Sequence, residues 1–281
     1  MLPPAPSGQK SESMSASVPA KPGQLRSWLS EASDALISVF FPAGCRVCDK
    51  LLTTASRVPI CEECLGSFVR VPALACEVCG RPLAAFGEAG GQPLLCPMCR
   101  DKTYAFERAR SFALYEGALV KAILLLKFEQ IQPLGDWFAE RLREVLDKEK
   151  EVLTPDVVVP VPLHRQREKE RGYNQAALIS KPLAKRLRLP HRAVLLMRTR
   201  PRPDKHILSL EERWESVRGA FATRPGSQVD NQRVLLVDDV LTTGATLDAC
   251  SRALREAGAK SVIGLTVARA VRDPVPSSAE W

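Results

Sequence analysis

Two adjacent carboxylates, Asp238 and Asp239, close an apolar run and open a short loop, Thr242-Thr243-Gly244-Ala245-Thr246. Carboxylates accept hydrogen bonds from vicinal hydroxyls and repel a phosphate set upon them. Backbone N–H groups, threonine hydroxyls and a helix N-terminus attract one. The order acid, acid, loop, helix therefore predicts a sugar phosphate with its ester in the loop and its hydroxyls on the acids. Gly244 allows a tight turn against such a ligand. Neighbours in an extended chain point to opposite sides, so one aspartate can face the sugar while the other faces inward or reaches a second hydroxyl. A structural Asp pair followed by an ordinary Thr cap is the plainer alternative. No G-x-x-x-x-G-K-[ST] and no G-x-G-x-x-G occurs, which excludes a Walker loop and a dinucleotide fingerprint.

A second chemistry lies upstream. Of nine cysteines, eight form C-x-x-C pairs: Cys45/Cys48, Cys61/Cys64, Cys76/Cys79 and Cys96/Cys99. Two such knuckles complete a tetrahedral S4 site, which suits zinc and leaves no open position for catalysis. Eight thiols make two structural sites. The simplest pairing is sequential, but an interleaved one satisfies the metals equally and spacing does not decide between them. Disulfides would need an oxidising compartment, and the regular paired spacing favours zinc over an iron–sulfur cluster. The segment has little else with which to build a core, so the metals are expected to hold it folded. Cys250 falls on the apolar side of the helix after the threonine loop and reads as a small core residue.

A third feature is charge. The stretch from Leu163 to Arg202 is rich in Lys and Arg, with Glu168 and Glu170 its only acids. Lys181, Lys185, Arg186 and Arg188 read as a solvated helix face. His164 to Gln175 follows a strand end and precedes a helix, so Arg165, Arg167 and Arg171 fall on the ligand edge of a sheet and suit a pyrophosphate and its magnesium ion. Gly172 and Asn174 suit a tight turn into the helix. Arg198 to His206 is a second basic, proline-broken stretch, expected to be a mobile loop over the site.

These groups must be positioned by a scaffold. Val234 to Val237 is apolar throughout, as in a strand buried on both faces of a parallel sheet. Further strands are expected at Arg108–Tyr115, Asp156–Pro162, Ala193–Met197 and Ser261–Arg269. Helices are expected at Ala118–Lys127, Gly135–Lys148, Asn174–Leu187 and from Leu247 to Gly258. Strands alternating with helices imply a mostly parallel sheet with helices on both faces, and ligands of such sheets bind at the strand ends.

The 281 residues suffice for two domains, and 45% hydrophobic with 26% charged residues is ordinary for a soluble globular protein. The net charge of +8 favours anionic partners. No apolar run approaches a membrane span, and the N-terminus lacks a secretory pattern, so a cytoplasmic location is expected. Residues 1–24 read as a disordered tail. Leu25 to Phe41 carries a helical stripe expected to pack on the next module. Aromatic residues number 6%, too few for a single-strand stacking platform.

The acid–threonine segment resembles the ribose-phosphate loop of type I phosphoribosyltransferases. The whole chain, over roughly residues 33–270, resembles the ComF family of bacterial competence proteins. The motifs that carry this are the C-x-x-C pairs, Leu126-Lys127-Phe128, Val159-Pro-Val-Pro-Leu-His164, Arg171-Gly-Tyr-Asn-Gln175, Leu208-Ser209 with Arg213, Gly219-Ala-Phe221 and the threonine loop. Arg202, Lys205 and Ser216 depart from the family pattern. The resemblance implies an α/β fold, a type I phosphoribosyltransferase-like parallel sheet flanked by helices at 105–273. A helix plus double zinc-ribbon module at 25–104 would precede it and a tail at 274–281 follow.

The resemblance further implies a phosphoribosyltransferase that uses phosphoribosyl pyrophosphate with magnesium, linked to uptake of single-stranded DNA. Thr242, Thr243, Gly244, Ala245 and Thr246 would hold the 5-phosphate. Asp238 and Asp239 would hold the ribose hydroxyls, and Lys127, Arg165, Arg167 and Arg171 would neutralise the pyrophosphate. A phosphoribosyl-sensing or nucleic-acid-binding accessory protein, and a zinc module docking import proteins, are the competing readings.

Overall fold

In the computed structural model, residues 44–52, 56–83, 93–101, 103–149, 153–201 and 209–271 are described. The expected tails, the Leu25–Phe41 helix and the Arg202, Lys205 and His206 positions lie outside them. In chain order the elements are α1 (Glu62–Gly66), α2 (Pro97–Asp101), β1 (Arg108–Leu114), α3 (Gly117–Phe128), α4 (Pro133–Lys148), β2 (Val157–Pro160), α5 (Arg165–Arg171) and α6 (Gln175–Leu187). They continue with β3 (Leu196–Arg198), α7 (Leu210–Glu215), β4 (Phe221–Thr223), β5 (Arg233–Leu241), α8 (Ala245–Glu256) and β6 (Ser261–Arg269).

The main sheet has the order β1-β6-β5-β2 and is parallel throughout. β5 is an inner strand, with Val234 opposite Val157 and Val262, and it buries Val234 to Val237 completely. Alternation sends Leu235 and Val237, with Val158 and Ile263, into a core shared with α3, α4 and α6. Val234 and Leu236, with Val157, Val159 and Val262, enter a second core under α8. Each such buried aliphatic contributes about 1.5–3 kcal/mol. A one-residue slip of β5 would draw the Asp238 carboxyl in among them, so this burial fixes where the acids stand.

The two cysteine knuckle pairs sit on opposite faces of this sheet. Cys45 and Cys64 join the α3/α4 core, while Cys76, Cys79, Cys96 and Cys99 join the α8 core. Between them the chain runs along the outer edge of β1. Leu114 N–H donates to Val69 C=O at 2.7 Å and Ala109 N–H to Val78 C=O at 2.7 Å. The cysteine segment thus covers an edge that would otherwise offer unpaired backbone groups. At the other edge Val158 N–H donates to Pro190 C=O, and Arg192 N–H to Val158 C=O, both at 2.9 Å.

Three expectations are corrected. β5 continues through both aspartates to Leu241, so the acids belong to the strand and do not follow it. The short strand near Ala193–Met197 is Leu196–Arg198, and it pairs antiparallel with β4 outside the main sheet; Arg198 therefore lies in a strand and not in a loop. The basic stretch after β2 contains α5, which buries no side chain and so shows no apolar period. Gly172 after it has φ +82°, and Asn174 caps α6 as expected. Asn174 accepts from Ala176 N–H at 2.9 Å and donates to Val161 C=O at 3.0 Å. Asn174→Ala is expected to cost about 1–2 kcal/mol, read as a lower urea midpoint at unchanged slope.

Candidate functional site

The site forms where β5 meets the loop before α8. Asp239, 4% exposed, points with Val237 toward the α3 face, where Lys127 Nζ stands 2.6 Å from its Oδ2. Asp238 points with Leu236 toward the α8 face and stays half-buried. Lys127 thus pairs directly with Asp239 and acts on Asp238 only through its charge. Burial, and then the Asp239 carboxylate, push the Asp238 pKa up to about 8. Asp238 Oδ1 accepts the Asp239 N–H at 2.9 Å.

Gly244 has φ +86°, and a Cβ there would lie 2.9 Å from the Tyr104 ring. Backbone conformation and close approach both require glycine at this point. The loop is anchored from behind. Tyr104 Oη donates to Thr243 C=O at 3.1 Å, and its ring stacks on Phe106 with centroids 4.6 Å apart. Burial raises the Tyr104 pKa, so the phenol stays a donor. In the first turn of α8, Asp248 accepts from Ala105 N–H at 2.7 Å and from Arg252 Nε at 2.8 Å. Gly244→Ala is expected to destabilise the fold by about 1–3 kcal/mol and to weaken phosphate binding, measured by urea unfolding and by calorimetry with ribose 5-phosphate.

A cleft of about 180 Å³ gathers Lys127, Asp238, Asp239, Thr242, Thr243, Ala245 and Thr246. Gly244 shapes the loop from the Tyr104 side. Arg171 is half-buried beside the cleft; desolvation lowers its pKa. It donates to Gln175 Oε1 at 2.6 Å and stacks over Phe128 at 4.9 Å, and Gln175 itself lines the cleft. Arg165 and Arg167 stand exposed on α5 and do not line it. The remaining wall carries Arg198, Arg213 and Ser216 from the β3–α7–β4 region. Sequence reasoning placed Arg198 in a loop over the site but did not name Arg198, Arg213 or Ser216 as site residues. The available signals were Arg213 following Leu208-Ser209 as in the family, and the basic stretch that begins at Arg198.

The cysteines form two tetrads, Cys45/Cys48/Cys61/Cys64 and Cys76/Cys79/Cys96/Cys99, the sulfurs of each within 4.8 Å of one another. The pairing is therefore sequential. The Cys48–Cys61 and Cys79–Cys96 Sγ separations are 3.6 Å. A tetrahedral S4 shell with metal–sulfur bonds of about 2.3 Å has edges of roughly 3.8 Å, whereas a disulfide needs about 2.05 Å. Backbone N–H groups of Val47 and Cys61 point at Cys45 Sγ, at 3.4 and 3.3 Å, as they do toward metal-bound thiolates. Donor set and geometry fit a tetrahedral thiophilic ion. Among the described residues no helix is long and apolar enough to cross a membrane.

Comparison with known proteins places this geometry. The phosphoribosyl transferase domain model matches residues 176–281. The chain is 31% identical over 206 residues to DNA utilization protein YhgH of Escherichia coli K12, covering 72% of this chain and 87% of that protein. It is 36% identical over 117 residues to competence protein F of Haemophilus influenzae, covering 41% of this chain and 51% of that protein. It is 28% identical over 214 residues to competence protein ComFC of Bacillus subtilis, covering 75% and 84%. The match thus spans about half of the Haemophilus protein and most of the other two.

Proposed function

This chain belongs to the ComF family of competence and DNA-utilization proteins with a phosphoribosyl transferase domain, and on that premise we propose that it binds phosphoribosyl pyrophosphate and transfers the phosphoribosyl group to a nitrogen acceptor. The observation that carries the reading is the joining of Asp238, Asp239, Thr242, Thr243, Ala245 and Thr246 in one cleft at a strand end. The threonine loop would take the 5-phosphate. The two carboxylates would hold the ribose hydroxyls and favour the positive charge that develops on the ring as pyrophosphate departs. Lys127 and Arg171 would balance negative charge on the leaving group. Magnesium bound together with the pyrophosphate would supply further neutralisation there. The cysteine tetrads would hold structural zinc. The names of the relatives support a role tied to DNA uptake.

Purified protein incubated with phosphoribosyl pyrophosphate, magnesium and a panel of nitrogenous bases tests this. Base-dependent pyrophosphate release supports transfer. Ligand binding with no turnover would turn the reading into a sensor, and no binding at all would leave a docking protein.

The raised Asp238 pKa has a pH signature. A carboxyl accepting two ribose hydroxyls serves as a carboxylate, so ligand binding at pH 7 is expected to release a proton. Heats measured in buffers of different ionisation enthalpy would then differ. In the free protein the folded pKa, about 8, lies above the unfolded value of about 3.9. The stability that this group contributes is full below about pH 4 and is lost as pH rises through 8. Asp238→Asn should abolish both the buffer dependence and that decline.

A further inference from the structure

Arg269 closes β6 and is 2% exposed, yet no carboxylate pairs with it among the described residues. Its Nη1 donates to Leu241 C=O at 2.9 Å, to Thr242 C=O, and to Ala270 C=O at 3.2 Å. Its Nη2 lies 3.5 Å from Cys79 Sγ. A buried guanidinium requires both hydrogen bonds and a counter-charge. The carbonyls supply the first. The second is the thiolate cluster of Cys76, Cys79, Cys96 and Cys99: four thiolates about one divalent ion carry two net negative charges.

The carbonyls concerned are those of the proposed phosphate loop. Leu241 and Thr242 are held by Arg269, and Thr243 by the Tyr104 hydroxyl at 3.1 Å. In a planar trans peptide the carbonyl and the following N–H point in opposite directions, and no cis peptide occurs among the described residues. Pinning these three carbonyls backward turns the N–H groups of Thr242, Thr243 and Gly244 away from Arg269 and Tyr104. That direction is the cleft which Thr242 and Thr243 line.

We infer that Arg269 and Tyr104 are positioning residues that strut the phosphate loop against the second cysteine tetrad, so that metal held by that tetrad and phosphoribosyl binding strengthen one another. The inference rests on the phosphoribosyl reading above and names how that site is kept in shape. Coupling between two sites is reciprocal: if the metal presents the loop, the ligand must retain the metal. The first tetrad packs on the other face of the sheet and has no hydrogen bond to the loop among the described residues, so the coupling is specific to one ion of two.

The experiment uses the full chain carrying two equivalents of zinc, with ribose 5-phosphate as the probe and a metallochromic chelator reporting release. Cys48 of the first tetrad is exposed whereas all four cysteines of the second are buried, so release is expected in a fast and a slow phase. Saturating ribose 5-phosphate is expected to slow the slow phase about five- to a hundredfold and leave the fast phase unchanged. Arg269→Lys keeps the charge but not the forked donors, and should reduce the effect to less than twofold with two zinc ions still bound. Tyr104→Phe keeps the ring packing and removes one hydrogen bond; it should weaken ribose 5-phosphate binding about fivefold and carries the test if Arg269→Lys does not fold. If calorimetry shows binding while neither phase changes, the strut is overturned and the phosphoribosyl reading stands. If calorimetry shows no binding to the wild-type chain, that reading fails and the strut with it.

Discussion

Asp239→Asn is expected to lower phosphoribosyl transfer by about 10²–10³-fold, the usual loss when one preorganised electrostatic group of a reaction centre is removed, while the protein stays folded. The substitution preserves shape and removes one charge. Asp239 is nearly inaccessible and its partner is the ammonium of Lys127 at 2.6 Å. Its charge is therefore held in a dry position, where it acts on a developing ring cation more strongly than it would in water. The Asn variant also relieves Asp238 of a like-charged neighbour, the second of the causes that raise its pKa. Proton release on ligand binding should shrink in the same variant. The expected pattern is thus a fall in kcat, a smaller buffer dependence of the binding heat and an unchanged urea midpoint. A fall in thermal stability matching the loss of activity would instead make Asp239 a structural partner of Lys127 and remove its catalytic role.

The parts of this molecule that were legible in the sequence are those with a local signal. The run Val234–Val237 announced an inner parallel strand because it is apolar on both faces, and β5 buries it on both. The C-x-x-C spacing announced two S4 clusters because two thiols that close together can reach one ion. The order acid, acid, loop, helix announced a helix after the threonine loop, and α8 begins there at Ala245. Other features depend on tertiary neighbours. α5 buries nothing and so has no period to detect. The β3–β4 pair is three residues long on each strand, and no pattern in so short a run tells an antiparallel hairpin from a further strand of the main sheet. The choice between sequential and interleaved tetrads is made by the sheet, which separates the knuckle pairs onto its two faces. Arg269 reads in sequence as the polar end of an apolar strand, and only the arrival of Cys79 and the loop carbonyls gives it a role.

Metal removal is the other large effect expected. Structural zinc sites contribute about 10–16 kcal/mol apparent, comparable to the whole net stability of a typical domain, about 5–15 kcal/mol. Here the loss would not stay within the cysteine segment. Cys45 and Cys64 are part of the core under α3 and α4, and the second tetrad is part of the core under α8. The chain between them pairs with β1 through Val69 and Val78. Releasing both ions with a strong chelator under reducing conditions should therefore uncover the β1 edge, lose near-ultraviolet dichroism and produce aggregation through the freed strand. Intact protein should contain two zinc ions per chain by elemental analysis. Losing only the first ion should cost stability yet spare ribose 5-phosphate binding, because its tetrad lies across the sheet from the threonine loop. A metal-free protein that kept its thermal midpoint would show that the shared apolar cores suffice, and that the sulfur clusters do not hold this end of the sheet.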